Sequence, residues 1–247
     1  MNPLHLATRV KSHVTNVVLP PPVEARHAEY SMLLSADDER WGPTPRLFDV
    51  ALAAVQAART VDVSSLAPRV PTGIRFAEVW PGEHYKLLAG LVKTLGAKNV
   101  IEIGTATGLS ALTLLLELPA GGKVTTFDVV PWPRYVDGTV LTEGDFADGR
   151  LVQVLDDLQE PSVIEKHRAL LENADFIFVD AAKDGVMEQR FIENFRRLRF
   201  KNSPIVMFDD IRVWNMLAIW RRLDRPKLDL TSFGHWSGTG LVDWAGA

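Results

Sequence analysis

The chain has 247 residues, of which 47% are hydrophobic and 23% charged, a balance typical of a folded globular protein. The formal net charge of −4 gives no electrostatic basis for binding nucleic acid or an anionic membrane surface. The absence of cysteine excludes disulfides, thiolate metal sites and cysteine nucleophiles, so any metal must be held by oxygen or histidine ligands. The sequence has no run that resembles a signal peptide or a membrane span, and we expect a cytoplasmic protein.

Proline and glycine divide the first part of the chain into short segments. The prolines at 20–22 and the run Trp41-Gly42-Pro43 interrupt any long pattern. Thr44 is predicted to cap a helix that continues through residue 58, because Pro45 and then apolar residues at helical spacing follow it. A second helix is predicted over 82–95, ending at Gly96. We expect residues 1–80 to form a helical or irregular extension and residues 81–247 to form the main domain.

From residue 99 onward, short apolar strands alternate with helices. This alternation predicts an α/β domain with a parallel sheet and helices on both faces. The predicted strands cover 100–103, 124–127, 151–155, 176–179 and 205–208, the helices cover 110–118, 161–172, 187–198 and 213–223, and a terminal antiparallel pair covers 228–233 and 240–244. Ligands bind such a sheet beyond the carboxyl ends of its strands, so the residues at those ends are the site candidates.

A glycine-rich turn follows the first predicted strand. The segment Glu102-Ile103-Gly104-Thr105-Ala106-Thr107-Gly108-Leu109-Ser110 lets a ligand approach the backbone closely, and the helix that follows favours a carboxylate or phosphate at its N-terminus. Its G-x-x-x-G pattern differs from the G-x-G-x-x-G of dinucleotide-binding folds. The turn therefore disfavours a nicotinamide enzyme.

Acidic residues end the second and third predicted strands. Asp128 is placed to accept hydrogen bonds from both hydroxyls of a ribose. Asp156 or Asp157 is placed to meet an adenine amino group. The alternative for all three acids is that each caps the segment that follows its strand, and the pattern alone leaves this open.

Three further carboxylates come at the ends of the fourth and fifth predicted strands. Asp180 follows one strand, with Lys183 three residues later, and Asp209 and Asp210 follow the next. Carboxylates at neighbouring strand ends repel one another unless a cation joins them. Oxygen ligands without cysteine indicate Mg²⁺, Ca²⁺ or Mn²⁺. The alternative is that each acid caps a helix or pairs with Lys183 or Arg212.

Several motifs together resemble the catechol and caffeoyl-CoA O-methyltransferase family. Residues 101–110 are similar to its cofactor loop, residues 176–184 to its metal-and-base motif and residues 238–241 to its closing hairpin, while 208–211 falls where the family usually has an Asp-Asn pair. The resemblance covers roughly residues 80–247. It implies a Rossmann-like, doubly wound, mostly parallel seven-stranded sheet with a C-terminal antiparallel hairpin. It also implies a homodimer, with residues 1–80 as a lid or dimer contact.

The resemblance further implies an O-methyltransferase that uses S-adenosylmethionine and acts on a small molecule with neighbouring oxygens, such as a catechol. The implied cofactor-binding residues are Glu102, Gly104, Thr105, Gly108, Ser110, Asp128, Asp156 and Asp157, and the implied metal ligands are Asp180, Asp209 and Asp210. The metal, Mg²⁺ or another divalent cation such as Mn²⁺ or Ca²⁺, would lower the pKa of a chelated substrate hydroxyl. Lys183 would then take its proton as general base, beside Asp180 at the catalytic centre.

Two departures from the family pattern bear on the site. Asp210 stands where asparagine is usual, which adds a negative charge beside the metal. Residues 129–133 make a poor helix start where the family continues with a helix, and Trp132 either stacks on the adenine or packs beneath its own loop. His27, His84 and His235 are candidates to assist catalysis, although a lone histidine is more often a surface or hydrogen-bonded residue.

Two other functions stay open at this point. The first is methyl transfer without a metal, to a sugar, polyketide or amine, with Asp180 and Asp209 as cofactor-binding and structural residues. The second is a cofactor-binding partner protein without catalysis, against which the combination of Lys183 with the acids argues. We expect a small-molecule substrate and neither a nucleic acid nor a membrane partner.

Overall fold

A computed structural model describes residues 41–70, 83–135, 138–213 and 216–246. Its centre is a seven-stranded sheet with the strand order β3-β2-β1-β4-β5-β7-β6. The strands are β1 (Asn99–Ile103), β2 (Lys123–Asp128), β3 (Leu151–Leu155), β4 (Phe176–Val179), β5 (Ile205–Asp209), β6 (Lys227–Asp229) and β7 (Thr239–Asp243). The first five strands are parallel, whereas β7 runs antiparallel to both β5 and β6. The predicted doubly wound sheet with a closing antiparallel hairpin is thus confirmed.

The described helices are α1 (Pro45–Ala58), α2 (His84–Leu95), α3 (Leu109–Leu116), α4 (Pro161–Glu172), α5 (Met187–Phe195) and α6 (Met216–Arg222). The predicted start of α1 is confirmed, since the Thr44 side chain accepts a hydrogen bond from the backbone N–H of Leu47. Gly96 ends α2 in the left-handed conformation, as predicted. No described helix is long and apolar enough to cross a membrane.

Three predicted segments extend too far. Helix α3 stops at Leu116, because Pro119 disfavours helical backbone in the residue before it. Helix α5 stops at Phe195, after which the backbone hydrogen bonds join residues three apart, as in a 3-10 turn. Strand β6 ends at Asp229, since the Oδ1 of that residue accepts the Thr231 N–H at 2.9 Å and starts a 3-10 turn over Thr231–Phe233. The predicted start of α6 at 213–215 includes two residues outside the described ranges.

Two hydrophobic cores cover the two faces of the sheet. Successive residues of the central strands alternate between them, so that Phe176 and Phe178 belong to one core and Ile177 and Val179 to the other. The first core also contains residues of α1 and α2. Gly90 makes their close packing possible, because a Cβ at that position would lie 2.6 Å from the backbone oxygen of Ala54. The predicted domain boundary near residue 80 lies outside the described residues and stays a prediction.

Candidate active site

The glycine-rich turn after β1 is shaped by contacts that only glycine permits. Gly104 and Gly108 have positive φ angles of 100° and 85°. A Cβ at Gly104 would lie 1.9 Å from the backbone oxygen of Asp180, and a Cβ at Gly108 would lie 2.2 Å from the Leu141 side chain. The turn therefore packs its backbone directly against the end of β4.

Asp128 and Thr126 hold this turn in place from β2. The Oδ2 of Asp128 accepts the N–H groups of Thr105 at 2.9 Å and Ala106 at 3.1 Å, and its Oδ1 accepts the N–H of Val130 at 2.9 Å. The buried hydroxyl of Thr105 lies 2.8 Å from that of Thr126. Asp128 thus fixes the loop, while its Oδ1 keeps capacity for a further donor.

A cavity of about 490 Å³ opens beside the turn, at the carboxyl ends of β1, β2, β3 and β4. Five of the predicted site residues line it, namely Gly104, Asp128, Asp156, Asp157 and Asp180. Its apolar wall includes Ile103, Phe127, Leu158, Met187 and Phe191. Its size and its mixture of apolar wall and few polar groups are typical of a small-molecule site. Glu102, Thr105, Gly108 and Ser110 are not among the residues that line it.

Asp156 and Asp157 stand together on the wall of this cavity at the end of β3. The Oδ2 of Asp156 accepts from Lys166 Nζ at 2.6 Å and lies 2.7 Å from His167 Nε2, and these contacts lower the pKa of Asp156. The Oδ1 of Asp157 accepts the backbone N–H of Gln159 at 2.9 Å, which caps the turn before α4. The capping alternative therefore applies to Asp157, although it also lines the cavity.

Glu102 is a buried acid with no counter-charge beside it. Its side chain is fully buried in β1, and neither carboxylate oxygen makes a hydrogen bond to any described residue. Burial raises the pKa of Glu102 to about 8, although the nearby hydroxyls of Ser110 and Thr126 act in the opposite direction. Glu102 is therefore mostly protonated in the folded protein at neutral pH.

The predicted metal-and-base residues come together at the ends of β4 and β5. Lys183 is buried, and its Nζ contacts Asp180 Oδ1 and lies 3.4 Å from Asp210 Oδ2. Both Lys183 and Asp210 have left-handed backbone, with φ angles of 56° and 57°. The backbone N–H of Lys183 donates to Glu188 at 2.7 Å, which fixes the loop. The three predicted ligands, Asp180, Asp209 and Asp210, place one oxygen each within 4.8 Å of one another.

The charges of this cluster shift the pKa values of its members. Desolvation raises the pKa of Asp180, and Lys183 only partly offsets this. Desolvation alone would lower the pKa of Lys183, but the attraction of Asp180, Asp209 and Asp210 outweighs it and raises that pKa. With all three acids ionised and Lys183 protonated, three negative charges and one positive leave a net charge of −2.

Two histidines complete the cluster on the far side of Asp209. His235 Nδ1 lies 3.1 Å from Asp209 Oδ1 and 3.3 Å from Asp210 Oδ1, and the buried His84 places its Nδ1 3.6 Å from Asp209 Oδ1. Burial lowers the pKa of His84, whereas Asp209 outweighs the desolvation of His235 and raises its pKa. The sequence predicted the two histidines only as separate candidates, because no spacing relates the start of α2 to the loop before β7. The third candidate, His27, lies outside the described residues.

The aromatic residues near the site have different positions. Trp132 stacks on Phe146 with ring centroids 5.5 Å apart, in agreement with packing beneath its own loop. Trp236 is 64% exposed, with its ring centroid 5.9 Å from that of His235. Trp214 lies outside the described residues.

Comparison with known proteins agrees with the motifs. A family model described as O-methyltransferase matches residues 78–219. Tricin synthase 2 from Oryza sativa subsp. japonica is 33% identical over 140 residues, which cover 54% of this chain and 44% of that protein. Caffeoyl-CoA O-methyltransferase 1 from Arabidopsis thaliana is 34% identical over 133 residues, covering 51% of this chain and 47% of that protein. The chain thus aligns with less than half the length of these two relatives.

Other matches cover more of the chain at lower identity. Caffeoyl-CoA O-methyltransferase from Pinus taeda is 29% identical over 223 residues, covering 85% of this chain and 77% of that protein. The solved structure of the O-methyltransferase TomG from Streptomyces achromogenes, in complex with SAM, is 21% identical with a TM-score of 0.49, covering 84% of this chain and 98% of that one. Because the family model spans more than half of the 247 residues, this chain belongs to the O-methyltransferase family.

Proposed function

We propose that this protein transfers the methyl group of S-adenosylmethionine to a hydroxyl of a small molecule with two neighbouring oxygens, assisted by a divalent cation. The observation that carries the proposal is the double position of Asp180. Asp180 lines the 490 Å³ cavity, and its side chain contacts Lys183 in the carboxylate cluster. A donor in the cavity and an acceptor at the cluster would therefore meet at this residue.

The cavity suits the methyl donor. Gly104 presents backbone without a side chain to the cavity, and the Oδ1 of Asp128 has capacity for a ribose hydroxyl. Asp156 and Asp157 would approach the adenine from the wall. We assign Glu102, Thr105, Gly108 and Ser110 an indirect role, in which they fix the turn that presents its backbone to the donor.

The carboxylate cluster suits a divalent cation. Asp180, Asp209 and Asp210 would hold the ion through oxygen atoms, and the single charge of Lys183 cannot neutralise all three when they are ionised. When bound, the ion supplies Lewis acidity that lowers the pKa of the acceptor hydroxyl. Mg²⁺, Mn²⁺ and Ca²⁺ all accept such oxygen ligands.

Lys183 would take the proton of the acceptor hydroxyl on its Nζ. Three carboxylates raise its pKa in the structure, so that Nζ is protonated at neutral pH when no other cation shares them. A dication on the same carboxylates acts in the opposite direction and would make Nζ a base. The acceptor oxygen would then form its bond to the methyl carbon as the carbon–sulfur bond of the donor breaks. Positioning by the protein would supply most of the acceleration.

Methyl transfer without a metal remains a second candidate because of one contact. Lys183 bridges Asp180 and Asp210 directly, so that a resident cation already neutralises part of the cluster. Asp180 would then serve only to position Lys183 beside the donor cavity. A homodimer and a lid or dimer contact formed by residues 1–80 stay predictions from the resemblance. A cytoplasmic location stays a prediction from the sequence.

Radiolabelled methyl transfer tests the proposal. Purified protein is incubated with labelled S-adenosylmethionine and with catechol or caffeoyl-CoA, in EDTA and after restoration of Mg²⁺ or Mn²⁺. Transfer that is lost in EDTA and restored by the cation supports the metal-assisted function. Transfer that persists in EDTA favours the metal-independent function, and a failure to bind S-adenosylmethionine overturns both.

A further inference from the structure

We propose that the cation of this site is a first-row transition metal such as Mn²⁺, Co²⁺ or Zn²⁺, and that the imidazoles of His84 and His235 bind it together with the carboxylate of Asp209. The three ligand atoms lie within 4.8 Å of one another. This differs from a site built of oxygens alone, for which Mg²⁺ and Ca²⁺ are the natural ions. The inference rests on the proposed function only in placing the ion beside the donor cavity.

The distances from Asp209 to the two imidazoles are close to those within one coordination sphere. His84 Nδ1 lies 3.6 Å and His235 Nδ1 lies 3.1 Å from the same oxygen, Asp209 Oδ1. Two ligand atoms that each lie about 2.1 Å from an ion, at octahedral or tetrahedral angles, are separated by about 3.0–3.4 Å. Small side-chain movements would therefore bring all three atoms to bonding distance of one ion.

His84 supplies the independent observation that a ligand is missing. Its residue is 3% exposed, and Nδ1 makes no hydrogen bond within the described part of the chain. The 3.6 Å distance to Asp209 is too long for a hydrogen bond. The rings of Tyr85, Phe178 and His235 pack around the imidazole, with centroids 4.9, 5.6 and 5.3 Å away. Aromatic packing thus holds a buried, unsatisfied nitrogen towards Asp209, which is unusual unless a ligand completes it.

The charges of the cluster favour the histidine side of Asp209. The Lys183 ammonium group contacts Asp180 and lies 3.4 Å from Asp210, so it already offsets part of the charge of these two acids. The carboxylate of Asp209 is buried and has the two imidazoles beside it. A dication there would leave one positive charge after Asp209 is counted, and Asp180 and Asp210 each place an oxygen within 4.8 Å of Asp209 to offset it.

Metal binding requires one tautomer of His235. In the structure its Nδ1 lies 2.9 Å from Ser237 Oγ and 3.1 Å from Asp209 Oδ1, which suits a protonated Nδ1. Coordination through Nδ1 would move that proton to Nε2. Ser237 also donates to Asp210, and it would then orient that carboxylate beside the ion.

Mn²⁺ is the discriminating probe, because both oxygen-only and nitrogen-containing sites accept it. Tag-free protein is loaded with one equivalent of Mn²⁺ and the ¹⁴N couplings are measured by pulsed electron paramagnetic resonance. We expect coupling to two imidazoles in the wild type. His84→Gln and His235→Gln should each remove one coupling and weaken Mn²⁺ binding about tenfold or more. His167→Gln, which changes an imidazole beside Asp156, is the control and should leave the couplings unchanged.

The outcomes separate this inference from the proposed function. The wild-type spectrum needs no variant, and bound Mn²⁺ without any nitrogen coupling overturns the histidine ligation while leaving metal assistance by Asp180, Asp209 and Asp210 intact. A wild-type protein that binds S-adenosylmethionine but no Mn²⁺ overturns both the inference and metal assistance. Circular dichroism and S-adenosylmethionine affinity of each variant identify a loss that is due to misfolding.

Discussion

Gly104 lies so close to the backbone carbonyl of Asp180 that a Cβ at position 104 would come within 1.9 Å of that oxygen. The contact joins the end of β1 to the end of β4, which are neighbouring parallel strands. One of these strand ends carries the proposed donor loop and the other carries the proposed metal ligand and base. The position of the methyl donor relative to the catalytic cluster is therefore set by packing between two backbones.

Gly104→Ala should disrupt both the fold and donor binding. The substitution meets the carbonyl of Asp180 and also requires a φ of 100°, so we expect a loss of at least about 2 kcal/mol in the free energy of unfolding and a large loss of S-adenosylmethionine affinity. Gly121→Ala is the matched control, because φ is 74° there but no atom lies within 4 Å. It should cost about 1–2 kcal/mol and leave affinity unchanged. Equal effects of the two variants would refute the backbone contact.

Lys183→Met should abolish catalysis without abolishing donor binding. Loss of the general base is expected to lower kcat by about 10²–10⁴, while the S-adenosylmethionine affinity changes little. Lys183→Arg separates charge from proton transfer, because arginine keeps the charge but does not accept a proton at neutral pH. We expect the arginine variant to be as inactive as the methionine variant. Recovery of kcat in Lys183→Arg would show that only the positive charge is needed. Lys93→Met, which removes a surface ion pair with Glu117, is the control and should leave kcat unchanged.

Glu102 should make the protein less stable as the pH rises. Unfolded Glu102 releases its proton near the ordinary value of 4.5, whereas the folded residue holds it to about pH 8. Between these values the folded state binds more protons, so the free energy of unfolding falls with increasing pH, by up to about 1.4 kcal/mol per unit. Urea denaturation of wild type and Glu102→Gln between pH 5 and pH 8, without ligands, measures this. Parallel curves for the two proteins would contradict a buried, titrating Glu102.

Thr44→Ala should loosen the packing of α1 on the sheet. Thr44 caps the helix and its hydroxyl also donates to Asp243 of β7 at 2.9 Å, so we expect a loss of about 1–2 kcal/mol in the free energy of unfolding. Thr60→Ala is the comparison and should cost less, because within the described ranges the exposed Thr60 hydroxyl donates only to the carbonyl of Ala57 in its own turn. If both variants lose the same free energy, the tie to β7 contributes nothing.

Much of the fold could be predicted because the pattern is local. Each strand from β1 to β5 lies within one residue of its predicted bounds. A short apolar run that ends at a residue such as Gly104, Asp128 or Asp180 is typical of a buried strand. Prediction was less accurate where side chains compete with the backbone. The Asp229 side chain ends β6 early, and neither hydrophobicity nor spacing contains that information.

The site was only partly predictable for a related reason. Motifs identified four of its residues, because their positions relative to apolar strands are local features of the sequence. Asp180 follows one strand with Lys183 three residues later, and Asp209 and Asp210 follow the next strand. His84 and His235 lie about 150 residues apart in the chain, and only the packing of α2 against the sheet brings their rings within 5.3 Å. Nor did the motifs predict that Asp128 would accept hydrogen bonds from the backbone N–H groups of Thr105 and Ala106 in the glycine-rich turn.

Isothermal titration of the purified protein with S-adenosylmethionine measures whether the cavity beside Gly104 and Asp180 binds the methyl donor. We expect saturable binding of one molecule per chain, a loss of affinity in Gly104→Ala, and retained affinity in Lys183→Met. Absence of binding to the wild-type protein, with circular dichroism confirming that it is folded, would contradict the assignment of the cavity beside Gly104 and Asp180 as the methyl-donor site.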